Sequence, residues 1–316
     1  MNDFPTTPDE LTPERVTRTL RASGHLGEGR VVESKAVGFG TGKMGDNARV
    51  SLVYEGDATG APSTLVAKLP AADETARTMA GARGAYYNEV MFYRELSPRT
   101  SMRLPEIYAS EISEDRAAFL LLMEDLSPAE PGSQLVGESR QHAELALREV
   151  AKLAAPFYGD ESLADCDYLM GGGTSDGGQL GQALMVQHWP GFLDRFGQGL
   201  SAECIAFGGR HAERFAHFVT RYTGPKTLIH GDFRTENLLF HGETAATVDW
   251  QTIGRSSALA DAAYFLGGSL EIEDRRAWER DLIETYRHHL DAAGVTLSAR
   301  DCWDQYREFA MHGLMI

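Results

Sequence analysis

The chain has 316 residues, of which 42% are hydrophobic, and this composition is typical of a globular protein with one large or two ordinary domains. Its formal net charge of −16 at pH 7 argues against nucleic-acid binding, which depends on clustered Lys and Arg, and is compatible with a cationic small-molecule substrate. No apolar run approaches the roughly 18 residues of a membrane span, so we predict none.

Cysteine usage and the first residues indicate the cellular compartment. Cys166, Cys204 and Cys302 are odd in number and far apart, which argues against a disulfide framework or a thiolate metal site. The opening MNDFPTTPDE lacks the basic and then apolar segments of a secretory signal. We therefore expect a cytoplasmic protein, and the sequence leaves its oligomeric state open.

A short helix and a hairpin are predicted first along the chain. Residues 8–24 favour a helix because Thr12 can cap it, Pro13 suits its first position and Gly24 can end it. Residues 31–56 alternate like strands in their first and last parts, with glycines between them. This pattern predicts two antiparallel strands joined by a long glycine-rich loop.

Two more strands and a helix complete a strand-rich region. Residues 63–70, STLVAKLP, predict a third strand, and residues 117–126, AAFLLLMEDL, predict an apolar strand that ends in acids. Between them, residues 81–96 have helical periodicity, which places Glu89 on the apolar face.

From Ser127 onward the pattern is mainly helical. Residues 139–158 carry an apolar stripe at helical spacing. Further helices are predicted near 201–222, 257–267, 274–293 and from 298 onward. The glycine-rich stretch 171–181, GGGTSDGGQLG, predicts a flexible loop by composition.

Lys68 occupies an unusual position inside the apolar run LVAKL. A buried ammonium is costly unless it is paired, and Glu89 on the next helix is its natural partner. We therefore predict that Lys68 and Glu89 form a pair.

The loop GFGTGKMGDN fits neither common phosphate-binding motif. A Walker A loop needs four residues between its first Gly and the Gly-Lys pair, but only three separate Gly38 from Gly42. A dinucleotide fingerprint needs a third Gly, where Lys43 stands, and a following helix. Gly40 and Gly42 therefore indicate a flexible flap between two strands.

The segment LIHGDFRTENLLF, residues 228–240, places acidic and amide side chains between two apolar runs. The following HGE turn and ATV run predict a hairpin that returns Asp249 towards the loop. Asn237 and Asp249 supply the oxygen ligands that Mg²⁺ prefers. Asp232 is then free to orient a hydroxyl and accept its proton. This arrangement is typical of phosphoryl transfer.

Together, HGDFRTEN and VDWQ resemble the signature of the aminoglycoside phosphotransferase family and of its ecdysteroid-kinase-like and choline-kinase-like relatives. As in the kinase catalytic loop, an Asp is followed five positions later by an Asn. Gly231 stands where protein kinases have Arg, and Trp250 and Gln251 replace the Phe and Gly after the Asp. Both departures point to a small-molecule kinase.

The resemblance implies an α+β, bilobal, protein-kinase-like fold. It implies an N-terminal helical segment at 1–26, a small antiparallel-sheet N-lobe that binds the nucleotide at 27–126, and a mainly helical C-lobe at 127–316. Its cofactors would be ATP or GTP and Mg²⁺, and its acceptor a small molecule with a hydroxyl group: aminoglycoside-like, choline-like or a hydrophobic alcohol.

The family's plan also suggests roles for individual residues. As in kinases, the pair of Lys68 and Glu89 would bind the nucleotide by positioning its α- and β-phosphates. Backbone groups of Met123, Glu124 and Leu126 would hydrogen-bond the adenine, and Gly40 and Gly42 would cover the phosphates. Asp261 would anchor the catalytic loop. His230 is interpreted as a brace for the loop backbone, and the remaining histidines as solvated side chains on helices. The sequence leaves open whether Arg234 meets phosphate or solvent.

Two alternatives are less well supported. A pseudokinase that binds a nucleotide without transferring phosphate would not need every polar position of the plan, yet all are filled. A protein kinase would show an Ala-Pro-Glu segment after Asp249, and none is evident.

Overall fold

The computed structural model describes residues 4–40, 44–170 and 175–314. Two compact units make up the chain: residues 1–132 with 236–253, and residues 133–235 with 254–316. Strands dominate the first unit and helices the second, as predicted for an α+β protein. In the described ranges, no helix combines the length and apolar composition needed to span a bilayer.

The first unit contains an antiparallel five-stranded sheet in the order β1-β2-β3-β5-β4. Its helices and strands up to residue 132 are α1 (Pro13–Ala22), β1 (Arg30–Phe39), β2 (Gly45–Glu55), β3 (Thr64–Pro70), α2 (Glu74–Ala82), α3 (Ala85–Met91), β4 (Ile107–Ile112), β5 (Phe119–Glu124) and β6 (Glu130–Pro131). A π-helical turn, Phe92–Leu96, continues α3. The predicted hairpin and both further strands are confirmed, whereas α2 and β4 were not predicted.

Local signals explain where α1 lies. The Thr12 hydroxyl accepts a hydrogen bond from the Arg15 amide at 3.4 Å, and Pro13 occupies the first helical position. The helix buries Val16 and Leu20 in an apolar core formed with the sheet. This burial fixes α1 to the sheet, because the apolar stripe of an amphipathic helix must leave water.

The second unit begins with helices. Up to residue 235 its elements are α4 (Arg140–Ala154), α5 (Ser175–Phe196), α6 (Ala202–Glu213), α7 (Phe215–Thr220) and β7 (Thr227–Ile229). The predicted loop at 171–181 is wrong from Ser175 onward, since that part is the start of α5. Added Cβ atoms at Gly178 and Gly181 would lie 2.8 Å from Val219 and 2.5 Å from Phe215. These glycines therefore serve the close packing of α5 on α7.

The chain then returns to the first unit for a hairpin and finishes in the second. The hairpin joins β8 (Leu238–His241) and β9 (Thr244–Thr247), and β6 pairs with β8. The remaining elements are β10 (Gly254–Ser256), which pairs with β7, α8 (Ala260–Ser269), α9 (Ile272–Ala292) and α10 (Ala299–Phe309). A final 3₁₀ turn spans Ala310–Leu314.

Candidate active site

The predicted site residues form one cluster in the first unit and another in the second. In the first unit, the Lys68 Nζ atom lies 2.9 Å from Glu89 Oε1 and 2.8 Å from Asp249 Oδ1. Lys68 belongs to β3 and Glu89 to α3, whereas Asp249 follows β9. Three segments distant in the sequence thus meet at one ammonium group.

Burial makes this ammonium strongly dependent on its partners. Glu89 is fully buried and Lys68 is 8% exposed. Burial acts to lower the pKa of Lys68, but the carboxylates of Asp249 and Glu89 outweigh it and raise the pKa above its ordinary value. The Asp249 side chain stays 40% exposed, so the cluster has one accessible carboxylate.

The residues around Asp249 are fixed to α3. Asp249 has a φ of +68°, a conformation that non-glycine residues seldom adopt unless their surroundings impose it. The next residue, Trp250, is fully buried and stacks on Phe92 with ring centroids 3.6 Å apart. Its backbone N–H donates to Glu89 Oε1 at 3.3 Å, and the Asn88 side chain donates to the Gln251 carbonyl at 3.1 Å. Packing and hydrogen bonds therefore orient Asp249.

The hairpin of β8 and β9 carries Asn237 to the same region. Leu238 pairs with Thr247, and the Val248 N–H donates to the Asn237 carbonyl at 3.0 Å. Asn237 is 5% exposed. One amide oxygen and one carboxylate at neighbouring ends of a hairpin form the kind of hard oxygen donor set that fits Mg²⁺, which usually retains several water ligands.

The predicted nucleotide-contacting backbone lies at the end of β5. Met123 pairs with Val66 and Ile107, and the Glu124 side chain accepts a hydrogen bond from Arg103 at 2.6 Å. The strand ends at Glu124, so Leu126 follows it outside the sheet.

Of the two glycines of the predicted flap, Gly40 lies within the described residues and Gly42 does not. Gly40 ends the described part of the loop after β1 with a φ of +78°, a conformation that favours glycine. Gly42 and Lys43 lie outside the described residues.

In the second unit, both carboxylate oxygens of Asp232 accept hydrogen bonds. The Tyr264 hydroxyl donates to Oδ1 at 3.1 Å, and the Arg234 Nε atom donates to Oδ2, also at 3.1 Å. Tyr264 lies on α8 and is buried, whereas Arg234 is about one-third exposed. The sequence did not indicate Tyr264, and it left the role of Arg234 open.

Asp261 anchors the start of the catalytic loop. Its two carboxylate oxygens accept the backbone N–H groups of His230 at 2.6 Å and Gly231 at 3.0 Å. Burial raises the pKa of Asp261, against the opposing effects of His230 and these two donors. Gly231 has a φ of +83°, which explains glycine here in place of Arg. The His230 Nδ1 atom accepts the Asp232 N–H at 3.3 Å, consistent with a bracing role for this imidazole.

A buried carboxylate that the sequence did not reveal anchors the end of the loop. Glu138 accepts a hydrogen bond from the Thr235 hydroxyl at 2.5 Å and lies 2.6 Å from the His142 Nδ1 atom. The Ser269 hydroxyl accepts the Thr235 backbone N–H at 3.2 Å. The loop is thus held at both ends by polar side chains of the same unit.

The fold and these two clusters define a kinase-like phosphotransferase. The chain belongs to the phosphotransferase enzyme family, whose sequence profile matches residues 46–309. No curated protein matches the sequence closely enough to count as a relative.

Solved structures with the same fold cover nearly the whole chain. Choline kinase from Cryptosporidium parvum Iowa II superposes with a TM-score of 0.56 at 11% identity, over 96% of this chain and 87% of that one. The complex of APH(2")-IIIa with GDP and kanamycin gives 0.53 at 12% identity, over 94% and 88%. A putative aminoglycoside phosphotransferase from Ralstonia eutropha JMP134 gives 0.52 at 16% identity, over 95% and 86%. At such identities the likeness establishes the protein-kinase-like fold.

Proposed function

We propose that this protein transfers the γ-phosphoryl group of ATP or GTP to a hydroxyl group of a small molecule. The observation that carries the proposal is the buried Lys68, which contacts Glu89 and Asp249. A buried ammonium that retains one accessible carboxylate partner is suited to bind a phosphate chain and its metal ion. Membership of the phosphotransferase enzyme family supports the same reaction type.

In the proposed step, a bond forms between the acceptor oxygen and the γ-phosphorus while the bond to the β–γ bridging oxygen breaks. The hydroxyl proton passes to the carboxylate of Asp232. Donors on both of its oxygens keep this carboxylate in a defined orientation. Positioning and charge neutralisation supply most of the rate in such a reaction.

The first-unit residues hold the nucleotide in this proposal. Lys68 contacts the α- and β-phosphates, and Glu89 keeps its ammonium in place. Asn237 and Asp249 would hold Mg²⁺, which neutralises charge on the phosphates when it is bound. Gly40 and Gly42 belong to the loop assigned to covering the phosphates.

The base of the nucleotide is assigned to the backbone at the end of β5 and just after it. In this proposal Met123, Glu124 and Leu126 bind the adenine or guanine. The division into segments 1–26, 27–126 and 127–316 stays a prediction, as does the cytoplasmic location.

For the phosphate acceptor we propose only a chemical class: an aminoglycoside-like, choline-like or hydrophobic alcohol. A coupled assay of nucleotide turnover with ATP and with GTP, across aminoglycosides, macrolides, choline analogues and sterols, tests this proposal. The Asp232→Asn variant serves as the blank. Acceptor-dependent turnover above the blank is expected with at least one class. Labelling of protein substrates alone would instead indicate a protein kinase, and nucleotide binding without turnover would indicate a pseudokinase.

A further inference from the structure

The two donors to Asp232 differ in how firmly they are held. Arg234 is a long side chain, about one-third exposed, only two residues from its acceptor. Tyr264 is 6% exposed and comes from the middle of α8. A carboxyl group rotates easily about its terminal torsion, so a fixed donor on one oxygen determines where the other lone pairs point. The buried tyrosine is the better candidate for this function.

One helix, α8, contacts both the backbone of the catalytic loop and the carboxylate of Asp232. Asp261, in the first turn of α8, accepts the N–H groups of His230 and Gly231. Tyr264 lies three residues later, on the same side of the helix, and donates to Asp232. The position of the carboxylate relative to its own backbone is therefore fixed by a single rigid element.

His312 supports this tyrosine from the end of the described chain. Its ring packs edge-on against the Tyr264 ring, with centroids 5.5 Å apart at 75°, and it hydrogen-bonds to the backbone of Gly231. Burial lowers the pKa of His312, and nearby His211 adds to this effect, while Asp232 and the Gly231 contact oppose it. His312 is half-buried because the 3₁₀ turn Ala310–Leu314 packs on α8, so the prediction of a solvated histidine is wrong here.

We propose that Tyr264 is a positioning residue for Asp232, and that His312 acts through Tyr264 by fixing its ring. This proposal rests on the proposed function. Tyr264 retains its proton throughout, and the acceptor's proton passes to Asp232. The last 3₁₀ turn thereby becomes part of the catalytic apparatus, although it lies far along the chain from the HGDFRTEN motif.

The test compares Tyr264→Phe with Tyr286→Phe. Tyr286 is a matched control because it is a buried tyrosine of the same unit whose hydroxyl donates to the Ala258 carbonyl and not to Asp232. Both changes remove one buried hydroxyl and keep the ring. The readout is the Mg²⁺-dependent release of the γ-phosphoryl group from ATP and GTP, to water and to any acceptor found.

Tyr264→Phe is expected to lower kcat by about tenfold to hundredfold, the usual consequence of losing a hydrogen bond to a charged group. The KM for the nucleotide should change less than about twofold, because its binding residues are untouched. Tyr286→Phe should leave both kcat and this KM unchanged.

A double-mutant cycle tests the part assigned to His312. If His312 acts through Tyr264, His312→Phe should lower kcat in the wild type and have a much smaller effect in the Tyr264→Phe background. Equal fold-losses in both backgrounds would overturn this part of the proposal.

The outcomes separate this proposal from the proposed function. If the wild type releases no more γ-phosphoryl group than Asp232→Asn, the proposed function is wrong, and the role of Tyr264 with it. If the wild type exceeds that blank while Tyr264→Phe matches Tyr286→Phe in kcat and in the KM for the nucleotide, only the role of Tyr264 is overturned.

Discussion

The two clusters hold their key carboxylates in opposite ways. In the first unit, Asp249 is held by charge: a buried ammonium lies 2.8 Å away, and the fully buried Glu89 shares it. In the second unit, Asp232 is held by a buried phenol and a partly exposed guanidinium, and Asp261 fixes its loop through backbone N–H groups. The first arrangement suits binding of anionic phosphates, and the second suits a carboxylate that must stay accessible to a hydroxyl.

This difference implies that substitutions in the two clusters should affect different measured properties. Damage to the Lys68 cluster should affect stability and nucleotide binding together, because its charges are buried. Damage around Asp232 should affect turnover more than nucleotide binding, because its donors serve only orientation.

The largest expected effect is that of Lys68→Met. This change leaves the buried Glu89 carboxylate without its ammonium partner, which should cost about 3–5 kcal/mol of unfolding free energy. Nucleotide affinity should fall as well. Urea unfolding and nucleotide titration measure both quantities. The exposed pair Arg30–Glu55 provides the control, and Arg30→Met should change neither. A fully stable Lys68→Met protein would show that the pair is not structurally coupled.

A smaller and more selective effect is expected for Asp261→Asn. The variant loses one of the two oxygen acceptors for the loop N–H groups, which should lower the unfolding free energy by about 1.5–3 kcal/mol. Turnover should fall while nucleotide affinity stays near the wild-type value. Asp281→Asn, at an exposed position of α9 in the same unit, is the matched control. Equal losses of turnover and affinity in Asp261→Asn would contradict separate clusters.

The smallest expected effect is a dependence of stability on pH that arises from buried and half-buried histidines of the second, mainly helical unit. Burial lowers the pKa of His211, His289 and His312 below the ordinary value of 6.5. Because these pKa values are lower in the folded protein, the unfolded chain binds more protons at acidic pH. The neutral imidazoles therefore contribute to the unfolding free energy above about pH 6.5. This contribution is lost as the pH falls through the folded-state pKa values. Thermal unfolding between pH 7.5 and 5 measures this loss.

His211 gives the sharpest version of this test. Within the described residues its buried Nε2 atom has no hydrogen-bond partner, and the ring packs among Phe207, Phe215 and Phe218. His211→Leu should raise the unfolding free energy by about 1 kcal/mol at pH 7 and weaken its dependence on pH. His288→Leu, at an exposed position, should do neither. A steeper pH dependence in His211→Leu would show that another group causes it.

The sequence predicted the first cluster well, and physics explains why. A lysine inside an apolar strand is costly enough to demand a partner, so the pairing of Lys68 with Glu89 could be predicted from the sequence. The hairpin turn similarly predicted that Asn237 and Asp249 would approach each other. Both inferences used signals that lie within a few residues of the side chains concerned.

The supports of Asp232 could not be predicted in this way. Tyr264 and His312 carry no local signal of their role, because a tyrosine in an apolar helix and a histidine in a terminal turn are ordinary residues. The start of α5 was predicted as a loop because of its glycines, whereas Gly178 and Gly181 are required by packing against α7. Tertiary contacts, which composition does not encode, decided these cases.

The separation of binding from chemistry is tested most directly by Asp232→Asn, which keeps the shape of the side chain and removes the proton acceptor. The measurement is γ-phosphoryl release, together with the nucleotide dissociation constant, for wild type and variant. Release is expected to fall about 10²–10⁴-fold while the dissociation constant stays within about twofold. Release at the wild-type rate, or a parallel loss of nucleotide affinity, would contradict this separation.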